Sequence, residues 1–298
     1  MSGGYILQQL VNGLILGSMY ALIAIGFTMI YGIIRLINFA HGDVVMIGSF
    51  MTLAFLQALG WPFYLVALAV MVGGALVGVA IERSVFRPMR GAPQVTGFIA
   101  SLALSIMIQN LGIVLLTAQP RNFTFPEIFQ QVITLGAVSF RLVDLVIMLS
   151  AWILMIGLIL LVRMTRLGVG MRATAENLEV ARLMGININR TIMATFAIGG
   201  SLAATAGLMY GGKFGQIDPL LGFVPGLKSF VAAVVGGVGS IAGAICGGYI
   251  IGMAEVLFVG FLPPIYSAYR DAFVFGLLIL ILLFMPNGLF GKKSEDRA

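Results

Sequence analysis

The chain has 298 residues, 60% of them hydrophobic and only 9% charged, with a mean hydropathy of +1.08. A soluble domain carries about 25% charged and about 45–50% apolar residues, so a soluble globular fold is excluded. The formal net charge is +6, but the arginines cluster in short loops between apolar blocks, which is the loop bias of a protein in a lipid bilayer and not the patch of a nucleic-acid binder.

The apolar blocks are 5–34, 44–59, 63–81, 95–117, 143–162, 191–210, 224–258 and 270–286. A helix crosses the hydrocarbon core of a bilayer in about 20 residues, so the chain reads as an all-α polytopic membrane protein, a single transmembrane domain over 1–298. The opening "MSGGYILQQLVNG" has no basic region ahead of its apolar run and reads as a first span, not a cleaved signal peptide.

The second block is preceded by "RLINFAHGDVVMIGS" (35–49), in which Asn38, His41 and Asp43 interrupt the apolar run. A charge at membrane depth costs roughly 2.5–3.5 kcal/mol. One reading is a broken helix lining a solute path, where freed backbone and polar side chains meet solute. The other is an ordinary turn at the membrane surface, with Asp43 capping the next span. A lone His41, with no second His or Cys nearby, is not a metal site.

Further along, the loop 82–93 holds Arg83, Arg87 and Arg90, and the loop 163–190 holds Arg163, Arg166, Arg172, Arg182 and Arg190. With the tail 287–298, which holds Lys292, Lys293 and Arg297, these face the cytoplasm. Segments 118–142 and 211–228 are poorer in basic residues and fall outside. The expected count is eight or nine crossings; an outside N-terminus and a cytoplasmic C-terminus favour the odd number.

Within 163–190 lies "RATAENLEVARLMGININR" (172–190), a charged island in an apolar chain. On a helical period Arg172, Glu176 and Glu179 share one face, while Met171, Ala175, Leu178, Ala181 and Gly185 share another. Balanced charge beside small residues suits docking into a protein groove better than lying on a membrane. The next candidate is a false one. "GLMYGGKF" (207–214) has the Gly-x4-Gly-Lys of a phosphate-binding loop, but Phe214 stands where Ser or Thr is needed and an apolar span precedes it.

The block 224–258 is too long for one straight span and is interrupted by "GGVGS" (236–240), so it holds two elements or one broken helix. Gly239, Gly243 and Gly247, then Gly248 and Gly252, recur at the four-residue spacing that lets another backbone approach closely. Gly236, Gly237, Gly239 and Ser240 join Asn38, His41 and Asp43 as candidate pathway residues. Glu255, at membrane depth, is another, with its partner unknown. Cys246 is the single cysteine, so no disulfide framework exists. The non-membrane stretches are too short to bury a core of their own, and no catalytic constellation is present.

"EVARLMG" (Glu179–Gly185) resembles the Glu-Ala-Ala-x3-Gly signature in the cytoplasmic loop of ATP-binding cassette (ABC) importer permeases, with Val180 in place of the first Ala. "NGLILGSMYALIAIGFTMIYGIIRLINFAHGDVVMIGSF", "GVGMRATAENLEVARLMGININR", "GLKSFVAAVVGGVGSIAGAICGGYIIGMAE" and "FMPNGLFG" are similar to motifs of the branched-chain amino acid permeases, and to the shorter, LivH-type subunit most of all. The resemblance implies the ABC importer permease fold and a bacterial cytoplasmic (inner) membrane location. It also implies partners: two ABC ATPase subunits, a second homologous (LivM-like) permease and a periplasmic or extracellular substrate-binding protein. The chain itself would bind no cofactor, ATP and magnesium being used by the ATPases. Arg172, Glu176, Glu179, Ala181 and Gly185 would form the coupling helix that meets those ATPases. The solutes implied are leucine, isoleucine and valine; related permeases carry urea, short amides or other amino acids, and an ATP-independent secondary carrier is the reading from a different class.

Overall fold

The computed structural model describes residues 3–123 and 125–291; Lys292, Lys293 and Arg297 lie outside the described residues. In chain order the helices begin with Gly3–Ile34 (α1), then His41–Leu53 (α2), which runs on through a π turn to Ala58. Phe63–Phe86 (α3), Gln94–Leu116 (α4) and Leu142–Met164 (α5) follow. Two short helices, Arg166–Glu176 (α6) and Leu178–Leu183 (α7), lead to Ile188–Phe214 (α8) and Phe223–Gly236 (α9). Ile241–Phe261 (α10) and Pro264–Phe284 (α11) close the bundle. Seven of these are long and apolar enough to cross a membrane, α9 is a shorter apolar helix, and α2 and α9 each follow a non-helical stretch. Seven full spans and two broken ones fit the eight or nine passes read from the apolar blocks.

The two ends of the bundle are distinguished by what joins them. At one end, Gln8 Nε2 donates to Ser139 O at 2.9 Å and Gln8 Oε1 accepts from Ser139 N at 2.8 Å, tying the start of α1 to a hairpin. That hairpin pairs Val132–Leu135 (β2) with Val138–Arg141 (β3), and a short ladder nearby pairs Arg121–Asn122 (β1) with Gln216–Ile217 (β4). At the other end, Arg90 donates to the side chains of Glu82 and Asn189, so the loops 82–93 and 163–190 lie together, as their shared arginines require. Leu289 N and Phe290 N donate to Val235 O and Gly236 O, both at 2.9 Å. The last described residues therefore cap the C-terminus of α9 at this arginine end.

The core is built on backbone approach. Central α1 is apolar on all sides and buried nearly throughout from Gly13 to Ile33, as expected of a helix with no polar face. The glycines of α10 serve two neighbours: Gly243 and Gly247 lie against Gly236 and Ala232 of α9, while Gly248 and Gly252 lie against Ala21 and Gly17 of α1. The interruption expected at 236–240 is a tight turn, with Gly237 and Gly239 at φ of +103° and +91°, a region that L side chains disfavour. The Gly207–Phe214 stretch is part of α8, so its N–H groups are committed to the helix and cradle no phosphate.

Candidate functional site

The residues 35–40 are non-helical, and α2 begins at His41, beside Gly26 of α1 and Gly199 of α8. Gly199 is near the middle of α8, so α2 starts at about half the depth of the bundle and runs to the hairpin end. α9 starts at the same level and runs the opposite way, to the arginine end. Their N-termini abut: a Cβ at Gly42 would lie 2.5 Å from the Gly222 carbonyl oxygen and 3.0 Å from Gly226 Cα. Two half-length helices thus meet nose to nose inside the bundle, an arrangement that turns the positive ends of two helix dipoles toward the membrane midplane.

The surface-turn reading of 35–49 is not what forms. The cap of α2 is Ala40, without a side-chain hydrogen bond, and Asp43 instead accepts from Gln109 Nε2 of α4 at 3.0 Å. Asn38, His41 and Asp43 are all at most 2% exposed, and Asn38 Oδ1, His41 Nε2 and Asp43 Oδ2 have no hydrogen-bond partner. The His41 ring is wedged edge-on against Phe27, centroids 4.7 Å apart. The freed backbone is served by α4: Ser101 Oγ donates to Ile37 O at 3.0 Å, and Phe98 stacks edge-on with Phe39. An unwound stretch at membrane depth needs such partners, because lipid offers none.

Ser101, Ser105 and Gln109 were missed in the sequence. They recur every four residues on a largely apolar helix, and that spacing is the signal that places them on one face.

The remaining pathway candidates do not join this group. Gly236, Gly237, Gly239 and Ser240 form the turn at the arginine end, where Ser240 Oγ caps α10 by accepting from Gly243 N at 3.1 Å, and Gly239 N donates to Thr28 Oγ1 at 3.0 Å. Glu255 belongs to a third place. Its Oε1 is 2.6 Å from Lys228 Nζ, and its Oε2 accepts from the Tyr20 hydroxyl at 2.9 Å. Lys228 also pairs with Asp271 at 2.7 Å, and Arg270 stands 3.5 Å from that carboxylate. Lys228 is 1% exposed on α9, which corrects the placement of 211–228 as an outside segment. Two carboxylates neutralise it, and pairing of that kind is what allows an ammonium group to stay buried.

The charged island is not one helix. Asn177 adopts an extended conformation (φ −155°, ψ 115°), ends α6 and caps α7 by accepting from the N–H groups of Glu179 and Val180. Glu179 then sits in the first turn of α7, where the helix dipole favours an acid. Gly185, at φ +81°, stops α7, and Ile186 N closes back onto Ala181 O, the left-handed stop that glycine permits. The break shifts the helical phase, so the face expected to dock is divided. Met171 and Ala181 turn into the bundle, Ala181 being 2% exposed, whereas Val180, Leu183 and Met184 point outward, Leu183 at 86% exposure. Arg172 bends back to donate to Val162 O at the end of α5.

A bundle of apolar spans, two of them unwound at half depth around unsatisfied polar atoms, is the architecture of a membrane transport protein. The profile of the family described as "Branched-chain amino acid transport system / permease component" matches residues 9–282. The chain is 41% identical to the high-affinity branched-chain amino acid transport system permease protein LivH of Escherichia coli (strain K12), over 98% of both sequences. It is 41% identical to the permease protein BraD of Pseudomonas aeruginosa, over 98% of this chain and 97% of that one. It is 31% identical to the probable permease protein LivH of Methanocaldococcus jannaschii, over 94% and 91%. No solved structure matches the chain. The protein belongs to the branched-chain amino acid permease family and is a multi-pass membrane protein.

Proposed function

We propose that the chain is the transmembrane permease subunit of an ABC importer that carries leucine, isoleucine and valine, handed over by an extracytoplasmic binding protein. The observation that carries this reading is the near full-length likeness to proteins named as permeases of branched-chain amino acid transport. In this reading the arginine end faces the cytoplasm and the hairpin end faces outward. The membrane is the bacterial inner membrane, and a LivM-like permease completes the pair. ATP and magnesium act on two separate ATPase subunits. Those subunits receive α7, whose outward Val180, Leu183 and Met184 form an apolar tip beside Glu179. Glu176, Glu179 and Gly185 shape that tip, Ala181 anchors it from within, and Arg172 holds its base to α5.

Closure of the ATPases on ATP would push α6 and α7 as a unit. Through Arg172 and α5 the push reaches the turn at Gly239, since Arg172, Val162, Thr28 and Gly239 surround one small cavity. The test is uptake of radiolabelled leucine by vesicles holding the permease pair, the ATPases and the binding protein. Leu183→Asp is expected to separate ATP hydrolysis from uptake, and uptake equal to wild type would remove α7 from the coupling role.

A further inference from the structure

Four acids are buried among the described residues, and three have a cation within ion-pair distance: Glu82 has Arg90, Asp144 has Lys213, and Glu255 has Lys228. Asp43 alone has none. Its Oδ1 accepts from Gln109 Nε2, and its Oδ2 is buried without a hydrogen-bond partner. A lone carboxylate at half depth is costly unless a positive group visits it. Beside it, Gln109 Nε2 also donates to Ser105 Oγ at 3.1 Å, and Ser105 lines a small space with Phe27, Phe39, Phe223, Gly226 and Phe230. Phe230 lies 5.9 Å from Phe27 and 6.1 Å from Phe39 between ring centroids.

We infer that this is where the permeating solute's α-ammonium group is held, with Asp43 Oδ2 as its counter-ion. The inference rests on the transport reading above and deepens it. The aliphatic side chain of a branched-chain amino acid lies against Phe27, Phe39 and Phe230. Its carboxylate faces the start of α9, the positive end of a 14-residue helix with no side-chain cap. Phe223 N and Gly226 N are already bonded to Leu220 O and Gly222 O, and Pro225 carries no N–H, so the attraction is that of the helix dipole. The space is about 10 Å³ in this structure, room for about one water molecule. Occupation therefore requires α4 to move away from the 35–43 stretch. α4 is suited to that movement: it buries only Gly97, Ser101, Ser105 and Gly112, and it grips the break through the Ser101–Ile37 and Gln109–Asp43 hydrogen bonds.

The experiment uses the complete importer in proteoliposomes, with leucine uptake and binding-protein-stimulated ATP hydrolysis measured side by side. Asp43→Asn keeps an acceptor for Gln109 and removes the charge. It is expected to lower leucine uptake about tenfold or more, the scale of an unpaired buried charge contact, while hydrolysis continues. Gln109→Ala removes the anchor and leaves the carboxylate, and is expected to lower uptake several-fold less than Asp43→Asn does. Asp43→Glu keeps the charge one methylene further out and is expected to retain more uptake than Asp43→Asn. If Asp43→Asn does not assemble, this variant carries the test, and an assembled Asp43→Glu importer that hydrolyses ATP but takes up no leucine overturns the inference. Equal losses in Asp43→Asn and Gln109→Ala also overturn it, since Asp43 then only anchors α4. So does undiminished uptake by Asp43→Asn in an importer whose wild type carries leucine. A wild type that moves no branched-chain amino acid overturns the transport reading itself.

Discussion

Two acids stand at bundle depth on either side of α9, and they are treated oppositely. Glu255 is met on both oxygens, by Lys228 and by the Tyr20 hydroxyl, and the pair is extended by Asp271 and Arg270. Asp43 has one oxygen on an amide, the Ser105 hydroxyl beside it and, among the described residues, no cation within reach. The first arrangement is complete and cross-links α9 to α10 and α11. The second is incomplete and joins α2 only to the outlying α4. Charge at depth is thus a poor guide to function until its partners are known: a saturated acid holds the scaffold, and an unsaturated one is available.

The comparison breaks most sharply at Lys228. Lys228→Met leaves Glu255 and Asp271 with only the more exposed Arg270 as a cation and is expected to cost up to about 3 kcal/mol, read as a lower melting temperature of the purified protein in detergent. Lys228→Met combined with Glu255→Gln should recover part of that loss, because it removes an uncompensated charge. Asp43→Asn, by contrast, should leave the melting temperature near wild type, and a fall as large as that of Lys228→Met would erase the distinction.

Next in size is the meeting of α2 and α9. Gly222→Ala sets a methyl group 2.1 Å from the Gly42 carbonyl oxygen, and the overpacking is expected to cost about 1–3 kcal/mol. Gly185→Ala forces a left-handed residue at the end of α7 for about 1–2 kcal/mol. That loss should appear as faster hydrogen exchange confined to 177–186. Leu183→Asp changes an exposed tip and should shift stability by less than about 0.5 kcal/mol, so its loss of uptake isolates docking from folding.

Much of this was legible in the sequence because hydropathy reports directly on helices that cross a membrane. The apolar blocks found the spans, and the loop arginines found the shared end. The polar break at 38–43 and the glycine turn at 236–240 were visible because both violate an otherwise apolar pattern. Pairing was not legible. Nothing local links Lys228 to Glu255 and Asp271, since their meeting depends on how α9, α10 and α11 are laid side by side. The same holds for Gln109 and Asp43. The charged island failed for a different reason: its periodicity assumed one helix, and Asn177, better as a cap than in a helix interior, restarted the phase and divided the face assigned to docking.

The bonds from Leu289 and Phe290 to the carbonyls of Val235 and Gly236 have a consequence for biosynthesis. A helix end in lipid needs its acceptors filled, and those of α9 are filled by residues translated only after α10 and α11. The Asp271 carboxylate that helps neutralise Lys228 also arrives late. α9 therefore leaves the ribosome with its charge unpaired until Glu255 of α10 arrives, and with its last carbonyls unfilled until Leu289 and Phe290 fold back onto it. A nascent chain halted within α10 should remain a substrate for membrane quality-control proteases, while release of the finished chain closes that window.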